Sequence, residues 1–425
     1  MLPAVAKKLS LPYSNREGWL SGIFDRITEK RGEIEISVCF PIGNLTAGEE
    51  LLSGLTVNGA KCYGFHENPD TPEIYDRRLE REFREILEKA KPDMIHIFGT
   101  EFPHALAAAR AFGKPERTLI GIQGLCYEIA KVYMAGLPEE VQRKVTFRDF
   151  LRRDSLKQQQ EKFYLRGKNE MEAISLAGHI TGRTRFDREG TSRINAKALY
   201  HSMNETMRSS FYEGMWDPEA CEKHSIFLGQ GDYPLKGFHF LLQAMPEIIK
   251  KYPDTILYVA GNSVISHQTV KEKIKLPAYG KYLLTLIRNY RLEDRVVMLG
   301  KLSETEMKQQ FLRSNVFVCA SVLENSPNTV GEAMLLGVPV VASRAGGIPD
   351  MIADGCEGLL FETGNPADLV SAVDKVFSKE KDAKGDTLAI RISKAGRRRA
   401  INAHDGETNY RRLLEIYGDI LGAKV

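Results

Sequence analysis

At 425 residues the chain is long enough for two domains, each with its own core. Lysine plus arginine (59) nearly balance aspartate plus glutamate (56), which removes any case for bulk nucleic-acid binding. Hydrophobic residues at 43% and aromatics at 9% describe a soluble globular protein, and no apolar run reaches the length a bilayer requires.

The opening Met1-Leu2-Pro3-Ala4-Val5-Ala6-Lys7-Lys8 has proline in its apolar part and lysines after it, the reverse of a signal peptide. Six cysteines without C-x-x-C spacing speak for a reducing compartment, with neither a zinc site nor disulfides, so a cytoplasmic location is expected. Short apolar runs then alternate with helical patterns, which predicts α/β domains with parallel sheets. Expected strands in the first half are Ile34–Phe40, Met94–Phe98, Thr118–Ile122, His179–Thr181 and Ala198–Tyr200. A charged helical stretch from Phe147 to Leu176 reads as a solvated helix, with contact to a membrane surface as the alternative. Phe211–Pro218 breaks the pattern as a hinge. Strands resume at Ser225–Leu228, Ile256–Ala260, Val296–Leu299, Val316–Val318, Val340–Ala342 and Leu359–Phe361. The implied domains are 1–210 and 211–400, followed by a closing helix in 401–425, and each of the two is a Rossmann-like sheet.

Two strand ends carry candidate chemistry. After Ser225–Leu228 comes Gly229-Gln230-Gly231, then Lys236-Gly237 and a helix with Phe238, Leu241, Leu242 and Met245 on a helical period. Glycines let backbone approach a ligand, and Lys236 would neutralise a diphosphate as a point charge. After Val316–Ala320 comes Leu323-Glu324-Asn325-Ser326-Pro327-Asn328-Thr329-Val330-Gly331-Glu332-Ala333-Met334. Ser326 is expected to cap the next helix, with Pro327 in its first turn. Asn328 and Thr329 would then offer N–H groups to a phosphate, with Glu332 one turn on, facing a sugar hydroxyl.

That stretch resembles the E-x7-E signature of retaining glycosyltransferases of the GT-B fold, family 4. The resemblance continues through Gly337-Val338-Pro339 and Gly346-Gly347. It implies a fold of two Rossmann-like domains facing across a cleft. It also implies Glu332 on the donor ribose, Glu324 on the transferred sugar, Thr329 and Asn328 on phosphate, and Lys236 on the leaving diphosphate. The family's arginine near that lysine is Gln230 here. Glu17–Ile23 is similar to the family's glycine loop under the donor, with Gly18 giving close approach and Trp19 either packing or forming an acceptor wall. Gln123-Gly124 stands where relatives carry histidine-glycine. Arg183 follows a strand end and either holds anionic groups or makes a structural salt bridge. The family's first strand has no counterpart after Met1, so either an apolar strand precedes that residue or the sheet closes differently.

The implied reaction is transfer of a sugar from a nucleoside diphosphate sugar, most simply a UDP-sugar, to a glycan or lipid-linked acceptor hydroxyl. The leaving phosphate would take the acceptor proton, since Gln123 cannot shuttle one. No D-x-D occurs, and no metal or other cofactor is expected. The alternative is a catalytically silent GT-B partner subunit or glycan-binding module; an epimerase or phosphorylase on the same fold is a minor third.

Overall fold

A computed structural model describes residues 3–9, 18–30, 34–42, 54–267 and 269–422. The chain divides into two compact units, one of residues 1–128, 162–208 and 404–425, the other of 129–161 and 209–403. Residues 129–161, placed by the expected boundary in the first domain, therefore pack with the second half of the chain. The segment 404–425 closes the first unit.

The first unit holds two sheets. β1 (Ser37–Pro41), β2 (Leu55–Val57) and β3 (Ala60–Phe65) are ordered β1-β3-β2, with β1 parallel to β3 and β2 antiparallel to it. β2 and β3 have no counterpart among the expected strands. Their readable signal is Asn58-Gly59, whose φ values of 49° and 84° satisfy the two left-handed positions of a tight hairpin turn. The second sheet is parallel throughout, in the order β4 (Ile95–Phe98), β5 (Thr118–Gly121), β6 (His179–Gly182), β7 (Leu199–Ser202). β5 and β6 are buried along their whole length, as strands covered on both faces must be. Ile97, Leu106, Ile120, Ile174 and Ile180 form the core beside them.

The second unit is one parallel sheet in the order β10-β9-β8-β11-β12-β13. Its strands are β8 (Glu222–Leu228), β9 (Ile256–Ala260), β10 (Val296–Gly300), β11 (Ser314–Cys319), β12 (Val340–Ser343) and β13 (Leu359–Phe361). The chain winds outward from β8 to β10, then returns to start again at β11 on the other side of β8. Phe227, Phe311 and Phe317 lock the centre, with edge-on ring pairs 5.2 and 5.0 Å apart. Trp216, in the expected hinge, is buried and its indole donates to the Ser314 carbonyl at 2.9 Å.

The charged stretch from Phe147 to Leu176 is not one helix. It splits into Phe147–Arg152 and Leu156–Ser175, because Arg153 takes a left-handed φ of 49° and ends the first. Nor is it solvated throughout: Glu170 is fully buried.

In the first unit, the helices Gly18–Glu29 and Gly406–Leu421 share a cluster that includes Ile27, Tyr410, Leu413 and Ile416. At their rim Glu407 accepts hydrogen bonds from Lys30 (2.7 Å), Arg26 (2.5 Å) and Arg411 (3.0 Å). The Lys30 bond, then those from Arg26 and Arg411, outweigh burial and pull the Glu407 pKa down to about 2. A depressed carboxylate stabilises the fold above its ordinary pKa of 4.5, and that contribution disappears as pH falls towards 2. Glu407→Gln should therefore lower the thermal midpoint at neutral pH, with the gap to the native protein closing on acidification in scanning calorimetry. A gap independent of pH would assign the effect to packing instead.

Candidate active site

The return from β10 to β11 makes β8 and β11 the switch point of the second sheet, where loops diverge and leave a crevice at the strands' carboxyl ends. Both candidate donor segments emerge there. Lys236 closes the loop after β8, and Glu324 lies in the loop after β11. The Lys236 Nζ meets Glu324 Oε1 at 2.5 Å, with the two side chains 21% and 15% exposed. Burial opposes the Lys236 charge, but Glu324, with Tyr233, outweighs it and raises the ammonium pKa well above its ordinary value. Ser321 donates its hydroxyl to the same carboxylate oxygen at 2.7 Å.

Backbone contacts fix this pair. Val322 N–H donates to the Leu235 carbonyl at 2.7 Å, joining the two loops. Gly237 has φ +68°, and a Cβ there would sit 1.8 Å from the Ala320 carbonyl oxygen. Gly346 has φ +53°, and its Cβ would lie 2.0 Å from the Glu324 carbonyl oxygen, which also accepts from Gly347 N–H at 2.9 Å. Only residues without side chains permit such approaches.

The helix after Glu324 is Asn328–Leu335, capped by the backbone of Pro327 with no side-chain cap. The expected Ser326 cap is therefore absent, and proline, with φ −67°, sets the entry instead. Asn328 and Thr329 occupy the first two helical positions, and their N–H groups have no backbone acceptor among the described residues. Thr329 lies over Gly229, where a Cβ would be 3.6 Å from its methyl group. Glu332, one turn on, is 4% exposed. Gln230 is half-buried and turned toward Gly261 at the end of β9. Two further polar groups there escaped the sequence reading: Asp232 accepts from the side-chain amide of Asn262 at 2.8 Å, and its other carboxylate oxygen is buried without a partner.

In the first unit, Gln123, Gly124 and Arg183 follow the ends of β5 and β6. Gln123 donates to Glu205 at 2.9 Å, and Arg183 forms a buried ion pair with the same carboxylate. Arg183 also donates to the Ile122 carbonyl at 3.3 Å. Of the two expectations for Arg183, the structural salt bridge is the one present. Gly18 starts the helix Gly18–Glu29, so that segment is helical rather than a loop; Glu17 and the Trp19 side chain lie outside the described residues. His96 is held neutral, its pKa lowered by burial to about 3, and meets the Tyr417 hydroxyl at 3.0 Å. Glu170 accepts from Thr100 Oγ1 (2.8 Å) and from the N–H groups of Cys126 (3.0 Å) and Tyr127 (3.1 Å). It thereby ties together the loops after β4 and β5. Burial outweighs those bonds and raises its pKa to about 8. Among the described residues no cluster of three or more His, Cys, Asp or Glu could hold a metal, and no helix is long and apolar enough to cross a membrane.

Gly237→Ala should force the two loops apart, lowering stability by about 2 kcal/mol or more, because a left-handed backbone and a carbonyl collision act together. Denaturant unfolding measures the loss. An unchanged midpoint would mean the loops move apart freely.

Residues 220–399 match the family described as glycosyl transferases group 1. The putative glycosyltransferase YtcC of Bacillus subtilis is 26% identical over 193 residues, 45% of this chain and 44% of its own length. The chain thus spans about half the length of the curated relatives it matches. Over the whole fold, sucrose-phosphate synthase from Thermosynechococcus elongatus superimposes with a TM-score of 0.66 at 16% identity, covering 96% of this chain and 93% of that one. HepE from Anabaena, in complex with UDP, gives 0.63 at 15% identity over 91% of this chain and 100% of that one. These likenesses identify the fold as GT-B. The residues that match the group 1 glycosyl transferases, 220–399, include the switch-point site.

Proposed function

We propose that the chain is a retaining glycosyltransferase that moves a hexosyl group from a nucleoside diphosphate sugar to an acceptor hydroxyl, without a metal. The observation that carries this reading is the Lys236–Glu324 pair, 2.5 Å apart beside the open N–H groups of Asn328 and Thr329. A diphosphate at that helix end would be held by two N–H donors, the helix dipole and the Lys236 ammonium. Glu324, freed in part as Lys236 turns to phosphate, would accept hydrogen bonds from hydroxyls of the transferred sugar. Glu332 would take the ribose hydroxyls. As the bond from the anomeric carbon to the phosphate oxygen breaks, that oxygen would accept the acceptor's proton, and the acceptor oxygen would bond to the carbon on the same face. Lys236 would balance the charge developing on the leaving diphosphate, a task a divalent cation would otherwise perform. Gln230 can donate a hydrogen bond there but adds no charge. UDP, the ligand of the HepE complex, is the nucleotide to test first, ahead of GDP and ADP. The acceptor would be a glycan or a lipid-linked sugar, met in the cytoplasm.

A second reading, a silent subunit or glycan-binding module, draws on Gln230 and Gln123, neutral amides where the resemblance calls for arginine and histidine. Turnover of a panel of nucleotide sugars separates the two: hydrolysis or transfer of any one favours the enzyme, and binding without turnover favours the module.

Glu332→Gln should weaken UDP binding at least about tenfold in calorimetry, in line with roughly 1.5–3 kcal/mol for one charge-assisted bond. Equal affinity would remove Glu332 from the site. Lys236→Ala should lower kcat more than Lys236→Arg, while a chelator leaves the native rate intact. Activity lost to chelator and restored by manganese would replace this charge scheme with a metal-bridged one.

A further inference from the structure

We propose that the short helix Phe147–Arg152 and its flanks form a docking point for an anionic lipid surface. Val145, Phe147, Phe150 and Leu151 are 56%, 62%, 72% and 63% exposed. Phe147, Phe150 and Leu151 are spaced three and four apart, so they stand on one face of the turn. Large apolar side chains grouped in this way mark a contact surface, whereas single ones do not.

The opposite face is anchored. Thr146 and Asp149 form a reciprocal cap, and Asp149, 1% exposed, accepts from the Ala278 N–H at 3.0 Å. Arg148 turns inward and bridges Asp149 at 3.0 Å and Asp154 at 2.9 Å. Arg148 thus engages both acids of the segment, which leaves that cluster one net negative charge, while Lys144, Arg152 and Arg153 stay exposed with no ion pair among the described residues. The segment thus presents a rigid apolar knuckle ringed by unpaired cations.

That pairing of features selects the occupant. An apolar protein partner would account for the phenylalanines but not for three unpaired cations on a segment of net positive charge. A negatively charged interface of headgroups over acyl chains meets both, with the cations at headgroup depth and the rings just below. Neither signal suffices alone, since durable attachment takes an apolar insertion together with basic charge. The inference is independent of the transferase reading, because vesicle binding is read without any sugar donor.

The full chain should co-sediment with vesicles of phosphatidylcholine mixed with phosphatidylglycerol, bind vesicles of phosphatidylcholine alone more weakly, and dissociate in high salt. The double variant Phe147→Ser with Phe150→Ser, and separately Arg152→Glu with Arg153→Glu, should each reduce partitioning at least about tenfold. Their thermal midpoints should stay unchanged, as all four side chains lie outside the core. Absence of co-sedimentation, or equal binding by both double variants, overturns the proposal. So does concentration-dependent self-association, abolished by the same variants, in a protein that ignores vesicles; the knuckle would then be a contact between copies of the chain.

Discussion

Two loops of the second unit come into backbone contact, and the candidate donor chemistry depends on that contact. Gly237 meets the Ala320 carbonyl, Val322 bonds Leu235, and Gly346 meets the Glu324 carbonyl. These are main-chain contacts, so their geometry does not relax with rotamers. They bring a lysine from one strand end and a glutamate from another to hydrogen-bond distance, 88 residues apart in sequence. The fold supplies this by topology: a sheet that restarts beside its first strand places two loop-bearing strand ends next to each other. The Lys236 ammonium, largely withdrawn from water, is held charged by the Glu324 side chain beside it.

The first unit handles charge differently. Glu205 gathers Gln123 and Arg183, and Glu170 gathers Thr100 with two backbone N–H groups. These buried carboxylates act as clamps on the loops after β4, β5 and β6. A buried carboxylate with several donors fixes loop positions more rigidly than apolar packing, because each lost bond leaves an unpaired group in a medium without water. The cost lies in ionisation, and it shows in the raised pKa of Glu170.

What the sequence made legible follows from local periodicity. Strands such as Val316–Cys319 and Val340–Ser343 are covered on both faces and read as unbroken apolar runs. Lys236 and Glu324 could be placed at strand ends because each follows such a run. Their mutual contact could not be read, because a parallel sheet pairs residues far apart in the chain. The same holds for Asp232 with Asn262 and for Gln123 with Glu205. β3 was hidden by its composition, Ala-Lys-Cys-Tyr-Gly-Phe, in which only the adjoining Asn58-Gly59 turn betrays a hairpin. Glu170 looked like one of several solvated charges; nothing in the helical pattern marks which of them turns inward.

The division of the first unit's strands into two sheets bears on how that unit comes apart. Among the described residues β1 and β4 each pair along one edge only. Among the described residues no ladder of hydrogen bonds couples the three-stranded sheet to the four-stranded one, while side chains such as Ile36 and Met94 pack on a shared cluster. Main-chain ladders transmit cooperativity and side-chain contacts transmit less of it. The β1–β3 sheet is accordingly expected to open as a separate foldon: its amides should exchange with solvent through openings that leave β5 and β6 protected.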